Sequence, residues 1–293
     1  MRGDIMDGRE ASPQFAGDPA RAMGISVLMA TYAREKASNL SASLESLRIQ
    51  TRAADQIVLV LDGPVGADQE KVIADFDALD APWDFLVVRL EKNCGLADAL
   101  NAGLAVCTQP FILRMDSDDI CLPDRIALEM DYLEGHPDIG LVASWAEEFY
   151  DENPATRLRT APTTHEAIVQ ALHWRNIVVH PSVAFRAEAL RSAGGYRMKF
   201  GLLEDYDLWI RMALAGVRFH IIPKVLVKSR TGAGLNERRG GLVYAVNEIR
   251  FRYHYLRAGF LTMRQFLMVT TLYVGFRIIS GPMRGRLYAF VRS

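Results

Sequence analysis

Three cysteines in 293 residues, Cys94, Cys107 and Cys121, share no CxxC spacing. That argues against a disulfide framework and a zinc ribbon and fits a reducing compartment. No stretch offers the roughly 20 apolar residues that a bilayer crossing needs; the segment between Arg264 and Arg277, QFLMVTTLYVGF, has twelve mostly apolar residues. The opening residues lack the apolar run of a secretory signal, and 1–23 are expected to form a mobile leader. No glycine follows the first apolar run, where ATYAREKAS stands, so a GxGxxG dinucleotide fingerprint is missing. Internal repeats and low-complexity linkers are also missing. Lys plus Arg (34) nearly balance Asp plus Glu (35), which gives no overall sign of nucleic-acid binding.

What is present is alternation. ISVLMA from Ile25 reads as a strand buried on both faces and ending at Thr31-Tyr32. Leu40, Leu44 and Leu47 recur at helical spacing, and IVLVL follows, stopping at Asp62-Gly63-Pro64. FLVVRL, then Leu96, Leu100 and Leu104 on one helical face, then FILRM repeat the pattern. Strands separated by helices predict an α/β fold with a mostly parallel, Rossmann-like central sheet flanked by helices. Ligands of such sheets sit beyond the carboxyl ends of the strands, so the residues after each run are the candidates.

A further helix is predicted from Pro123 to Gly135, with Ile126, Met130 and Leu133 inward, followed by a strand, GLVASWAEEFY. Beyond about Asn153 the alternation is lost, and a mixed α+β half built on the same sheet is expected to about Arg230. The division expected is a domain over 24–235, with a nucleotide-binding half (24–120) and an acceptor half (121–235), then a helical C-terminal extension (236–293). That extension has ten Arg against two Glu, a formal charge of +8. It fits a helix lying on an anionic membrane surface, or one packed on the domain with its arginines solvated.

Two acidic clusters carry chemistry. In RMDSDD, Asp116 and Asp118 follow an apolar strand and project to one face if the chain stays extended, with Asp119 adjacent. Crowded like charges need neutralising, and Mn²⁺ or Mg²⁺ bridging to phosphate would do so, although acidic turns and helix caps produce the same letters. Glu204-Asp205 precede YDLWIRMALAG, a helix whose positive end favours ionised carboxylates; Asp205 is there either a general base or only a cap.

The order SVLMATYARE, VLDGP, EKNCGLADALNAGL, RMDSDD with LPDR, HPSVAFR, GGYR and EDYDLWIR, spanning about Ile25 to Arg230, resembles the inverting family 2 nucleotide-sugar glycosyltransferases of the GT-A fold. LDGP resembles members that build bacterial exopolysaccharides. The resemblance implies a hexosyltransferase using Mn²⁺ or Mg²⁺, with donor contacts at Ala30, Thr31, Tyr32, Arg34, Asp62, Asn93, Gly95, Leu96, Asn101 and Asp116. Asp62 would bond the base, as a carboxylate can accept the imide N–H of uracil. Many members have a second Asp and Gly-Ser where this chain has LDGP, which leaves base identity open. Asp118 matches the metal ligand, helped by Asp116, and Asp205 matches the catalytic base beside Glu204. His180, Trp209 and Arg230 are candidate acceptor or sugar contacts.

The partners implied are a nucleotide diphosphate-sugar, a UDP-sugar by preference, and a glycan or lipid-linked acceptor. The place implied is the cytoplasm, peripherally at the inner face of the membrane. The missing QxxRW motif argues against a processive synthase. The alternatives are an inactive scaffold of a polysaccharide assembly complex, against which the intact Asp118 and Asp205 stand, and a sugar-phosphate nucleotidyltransferase, which would normally have a glycine-rich loop after the first strand.

Overall fold

The structure, a computed structural model, describes residues 23–150, 153–231 and 242–278. The leader, apart from Met23, and the expected boundary at 235/236 lie outside them. Nine strands form one sheet in the order β3-β2-β1-β4-β8-β6-β9-β5, with β7 paired to the later residues of β6. The first half alternates as its apolar pattern requires: β1 Ile25–Thr31, α1 Ala37–Arg48, β2 Gln56–Leu61, α2 Ala67–Asp77, β3 Asp84–Arg89, α3 Leu96–Val106 and β4 Phe111–Asp116. These four strands pair only in parallel with one another.

Alternate side chains of β1 feed two cores. Val27 and Met29 pack with Leu40 and Leu44 of α1, whereas Leu28 packs with Leu100 and Leu104 of α3. Each fully buried leucine contributes roughly 1.5–3 kcal/mol, so α1 and α3 are held by the sheet far more than by their own helix propensity.

The second half is mixed. β5 Ile120–Cys121, α4 Arg125–Gly135, β6 Ile139–Tyr150, β7 Asn153–Arg159, α5 His165–Leu172, β8 Val183–Arg186, α6 Ala187–Ser192, α7 Glu204–Leu214 and β9 Arg218–Arg230 complete the domain. β8 enters antiparallel between β4 and β6, while β6 and β9 are parallel. The helix expected from Pro123 starts at Arg125 instead, because Arg125 N first bonds Leu122 O in a turn.

Among the described residues the last segment holds two helices, α8 Leu242–Arg257 and α9 Met263–Ile278. Gly259 at φ 77 ends the first, and Thr262 opens the second through a reciprocal cap: Gln265 N donates to Thr262 Oγ1, and Thr262 N to Gln265 Oε1. Phe251, Tyr255, Phe260 and Leu261 belong to the main core cluster. Tyr255 Oη donates to Asp207 Oδ1 of α7 at 2.5 Å, and Arg252 is buried with Glu248. Arg250, Arg257 and Arg264 are exposed. No helix among the described residues is long and apolar enough to cross a membrane.

Candidate active site

Strand direction decides which side chains meet. β1, β2, β4, β6 and β9 run the same way, so Thr31, Leu61, Asp116, Tyr150 and Arg230 end on one edge. β8 runs against them, so the single turn that leads into it, His180–Ser182, reaches that edge as well. A cleft of about 550 Å³ opens there.

One wall is acidic. The ligand atoms of Asp116, Asp118 and Asp119 lie within 4.8 Å of one another. The cause is a turn and not an extended chain: β4 ends at Asp116, and Asp119 N bonds back to Asp116 O at 3.4 Å. Antiparallel pairing of β5 with β9 then brings Arg230 over the turn, where its N–H donates to Asp119 Oδ1 at 2.6 Å and its Nε to Asp118 O at 2.9 Å. Burial, with the charges of Asp116 and Glu35, pushes the Asp118 carboxyl up to about 7. Burial also holds Asp119 well above the usual carboxylate range.

The cluster fits a divalent cation. Asp119 Oδ2 is buried and has no hydrogen-bond partner among the described residues, beside two further carboxylates. All the donors are hard oxygens of the kind Mg²⁺ and Mn²⁺ prefer. Two adjacent cationic side chains offset part of this charge: Arg114 pairs with Asp116, and Arg230, whose guanidinium lies 4.6 Å from the Phe149 ring centroid, donates from Nε to Asp118 O.

The start of α7 lines the same cleft. Glu204 and Asp205 are the first two residues of that helix, and the N-cap is Leu203, so Asp205 is not the cap. Its Oδ1 accepts from Tyr206 N at 2.7 Å and its Oδ2 from Asn176 Nδ2 at 2.7 Å. Backbone N–H donation and the helix dipole both favour the ionised carboxylate.

The third wall is the Asp62 strip. Asp62 Oδ1 accepts from Cys94 N at 2.6 Å and Oδ2 from Gly95 N at 3.0 Å, while Asn93 Nδ2 donates to Asp62 O. Asp62 therefore locks the Asn93–Gly95 turn onto the end of β2, and its remaining lone pairs are what a base could use. Gly95 sits at φ 92, ψ 160, a conformation essentially reserved for glycine.

The structure brings Ala30, Thr31, Tyr32 and Asp62 to the cleft lining, with Asn93, Gly95 and Leu96 beside them. Asp116, Asp118, His180, Glu204, Asp205 and Arg230 complete the predicted set there. Three candidates do not line it. Arg34 is an exposed turn residue. Asn101 is spent on the backbone of Tyr196, to whose carbonyl it donates and from whose N–H it accepts, both at 2.9 Å. Trp209 is fully buried, its ring 5.8 Å from that of Phe185 and 5.9 Å from that of His180, outside the cleft lining.

Sequence reasoning passed over Arg114, Asn176 and Tyr196 and gave Asp119 little weight. Arg114 had a visible signal, a charge inside an otherwise apolar strand. Tyr196 hydrogen-bonds His180 Nε2 at 3.0 Å, and burial with the nearby Arg114 charge keeps the imidazole well below its ordinary pKa, hence neutral. Buried Cys107 and Cys121, raised to about 11 and about 12 by desolvation, are protonated and inert.

A family model described as Glycosyl transferase family 2 matches residues 26–193. The amylovoran biosynthesis glycosyltransferase AmsE of Erwinia amylovora is 39% identical over 250 residues, 84% of this chain and 92% of that protein. The UDP-Gal:alpha-D-GlcNAc-diphosphoundecaprenol beta-1,3-galactosyltransferase of Escherichia coli is 33% identical over 267 residues, 90% of this chain and 94% of that one. Staphylococcus aureus TarS 1–349, solved with UDP-GlcNAc, superposes with a TM-score of 0.64 at 16% identity over 80% of this chain and 67% of TarS 1–349. The Pyrobaculum calidifontis mannosyltransferase PcManGT, solved with GDP-Man and Mn²⁺, gives 0.61 at 19% identity over 84% and 68%. The architecture is thus that of the GT-A glycosyltransferases. The chain belongs to glycosyl transferase family 2 and is a glycosyltransferase.

Proposed function

We propose that the chain moves one sugar from a nucleotide diphosphate-sugar, by preference a UDP-sugar, to a hydroxyl of a glycan or lipid-linked oligosaccharide, with inversion, in building a bacterial surface or exopolysaccharide. The observation that carries this is that the Asp116–Asp118–Asp119 cluster and the Asn176-held Asp205 line one cleft. Relatives whose names specify amylovoran biosynthesis and a lipid-diphosphate acceptor support the pathway, and neighbours solved with UDP-GlcNAc or with GDP-Man and Mn²⁺ support the donor class. The reaction then belongs in the cytoplasm, at the face of the membrane that presents such an acceptor.

Asp205 takes the acceptor hydroxyl proton as that oxygen attacks the anomeric carbon from the side opposite the diphosphate. Asn176 and the Tyr206 N–H hold the carboxylate in place for it. The bond from the anomeric carbon to the diphosphate oxygen breaks, and the departing group is turned towards Asp116, Asp118 and Asp119. A divalent cation held by those residues would neutralise the charge developing on the diphosphate. Thr31 and the Asp62 strip would hold the nucleotide.

A panel of UDP-, dTDP- and GDP-sugars in thermal-shift assays with Mn²⁺ tests the reading, since a ligand at 100 times its Kd stabilises by about 2.7 kcal/mol. A UDP-sugar is expected to raise the melting temperature only when Mn²⁺ is present, and NMR of the product is expected to show the inverted anomer. A metal-independent shift that Asp118→Ala leaves unchanged contradicts it.

A further inference from the structure

A second concavity, about 460 Å³, lies where the Met198–Phe200 turn meets α8, and Lys199, Phe200, Arg250, Tyr253, His254 and Arg257 line it. Its walls are cationic. Among the described residues none of Lys199, Arg250 or Arg257 has a carboxylate partner, and Glu248, the one acidic residue of α8, is already bound to Arg252. His254 titrates low, from burial first and the Lys199 charge next. Exposed basic groups gathered without counter-charge repel one another, and an anion relieves that.

The same helix face is apolar. Val243, Val246, Arg250, Tyr253 and Arg257 follow one another at intervals of three and four residues, and Val243 (78%), Val246 (42%) and Tyr253 (51%) stand open to solvent. A ligand covering both features is an amphiphile with an anionic head.

The groove is tied to the catalytic cleft by a few residues of chain. Lys199 and Phe200 line the groove, while Leu202, Glu204 and Asp205 line the cleft. At no more than about 3.6 Å per residue, Phe200 and Asp205 lie within about 18 Å of each other.

We infer that this groove binds the diphosphate of a lipid-diphosphate-linked acceptor, with the apolar face of α8 against the first part of the lipid chain. The sugar attached to that diphosphate is thereby directed to Asp205. The assignment of the occupant as acceptor rests on the glycosyl-transfer reading; the binding itself is measured separately from it.

The test is titration calorimetry on the full chain in EDTA, with farnesyl diphosphate, farnesol, inorganic pyrophosphate, and vesicles of phosphatidylcholine with or without phosphatidylglycerol. Farnesyl diphosphate is expected to bind, farnesol not measurably, and pyrophosphate more weakly. The double change Arg250→Glu and Arg257→Glu is expected to weaken farnesyl diphosphate by tenfold or more, because it replaces two cations of the groove with two carboxylates. Arg257→Gln, a milder change at an exposed position, is expected to weaken it in the same direction. In a separate titration without EDTA, UDP with Mn²⁺ is expected to bind wild type and variants equally. Unchanged farnesyl diphosphate affinity in the variants overturns the inference, as does pyrophosphate binding as tightly as farnesyl diphosphate. So does binding to anionic vesicles but not to farnesyl diphosphate, which marks a bilayer surface instead. Failure of wild type to bind UDP with Mn²⁺ strikes the donor reading alone.

Discussion

Asn176 donates from Nδ2 to Oδ2 of Asp205 at 2.7 Å, joining the chain after α5 to the first turn of α7. A donor to the charged form lowers a carboxylate's pKa, so removing it has a definite sign. Asn176→Ala is expected to lower kcat about tenfold and to move the acid limb of the kcat/KM profile to higher pH. Asp205→Asn is expected to cost on the order of 10²- to 10⁴-fold in kcat with donor affinity retained. Initial-rate measurements across pH check both; an unmoved limb in Asn176→Ala leaves that residue a purely structural role.

The acidic wall predicts a metal-dependent reaction. Asp118→Asn, or chelation with EDTA, is expected to remove on the order of 10³-fold of the transfer rate, because a cation at a developing phosphate charge supplies several kcal/mol. Re-addition of Mn²⁺ is expected to restore the chelated wild type but not the variant. Full activity in EDTA excludes the assignment.

Gly95 is held by Asp62 in a backbone region other residues avoid. Its substitution by Ala meets a second obstacle, since an added Cβ lies 3.1 Å from Met198 Cε. Gly95→Ala is expected to destabilise the fold by about 1–3 kcal/mol and to weaken UDP binding, read by urea denaturation and calorimetry. Wild-type values for both place the strip outside the nucleotide site.

His180 gives a pH signature. Its folded pKa is depressed, so at low pH the unfolded chain binds a proton that the native protein refuses. Its contribution to stability is therefore intact above the unfolded value of about 6.5 and lost as pH falls below it. Buried Glu129, raised to about 7, pulls the other way, so the comparison must be with His180→Gln. The urea midpoint of wild type is expected to fall relative to that variant between pH 7.5 and 5.5; parallel midpoints contradict a neutral, buried imidazole.

The strands and helices of the first half were legible because each is long, apolar and strictly periodic, and strand ends are where ligands of parallel sheets sit. Thr31, Asp62 and Asp116 could be found that way. Asn176 and Tyr196 could not, because their importance comes from meetings across distant parts of the chain: Asn176 with Asp205, Tyr196 with His180. Trp209, a candidate acceptor or sugar contact, lies outside the cleft lining because the helix turns it into the core against Phe185. The DxD letters were legible, but the turn that gathers Asp116, Asp118 and Asp119 was not, since it depends on β9 supplying Arg230 from over a hundred residues away.

Paramagnetic broadening tests most directly whether one cleft serves both the departing diphosphate and the proton acceptor. Substoichiometric Mn²⁺ with UDP, added to isotopically labelled protein, is expected to broaden the backbone amides of Ser117 to Asp119 and also those of Asp205 and Tyr206, and to broaden neither group in Asp118→Ala. Broadening at Ser117 to Asp119 with Asp205 and Tyr206 untouched, or broadening that survives in Asp118→Ala, contradicts the account.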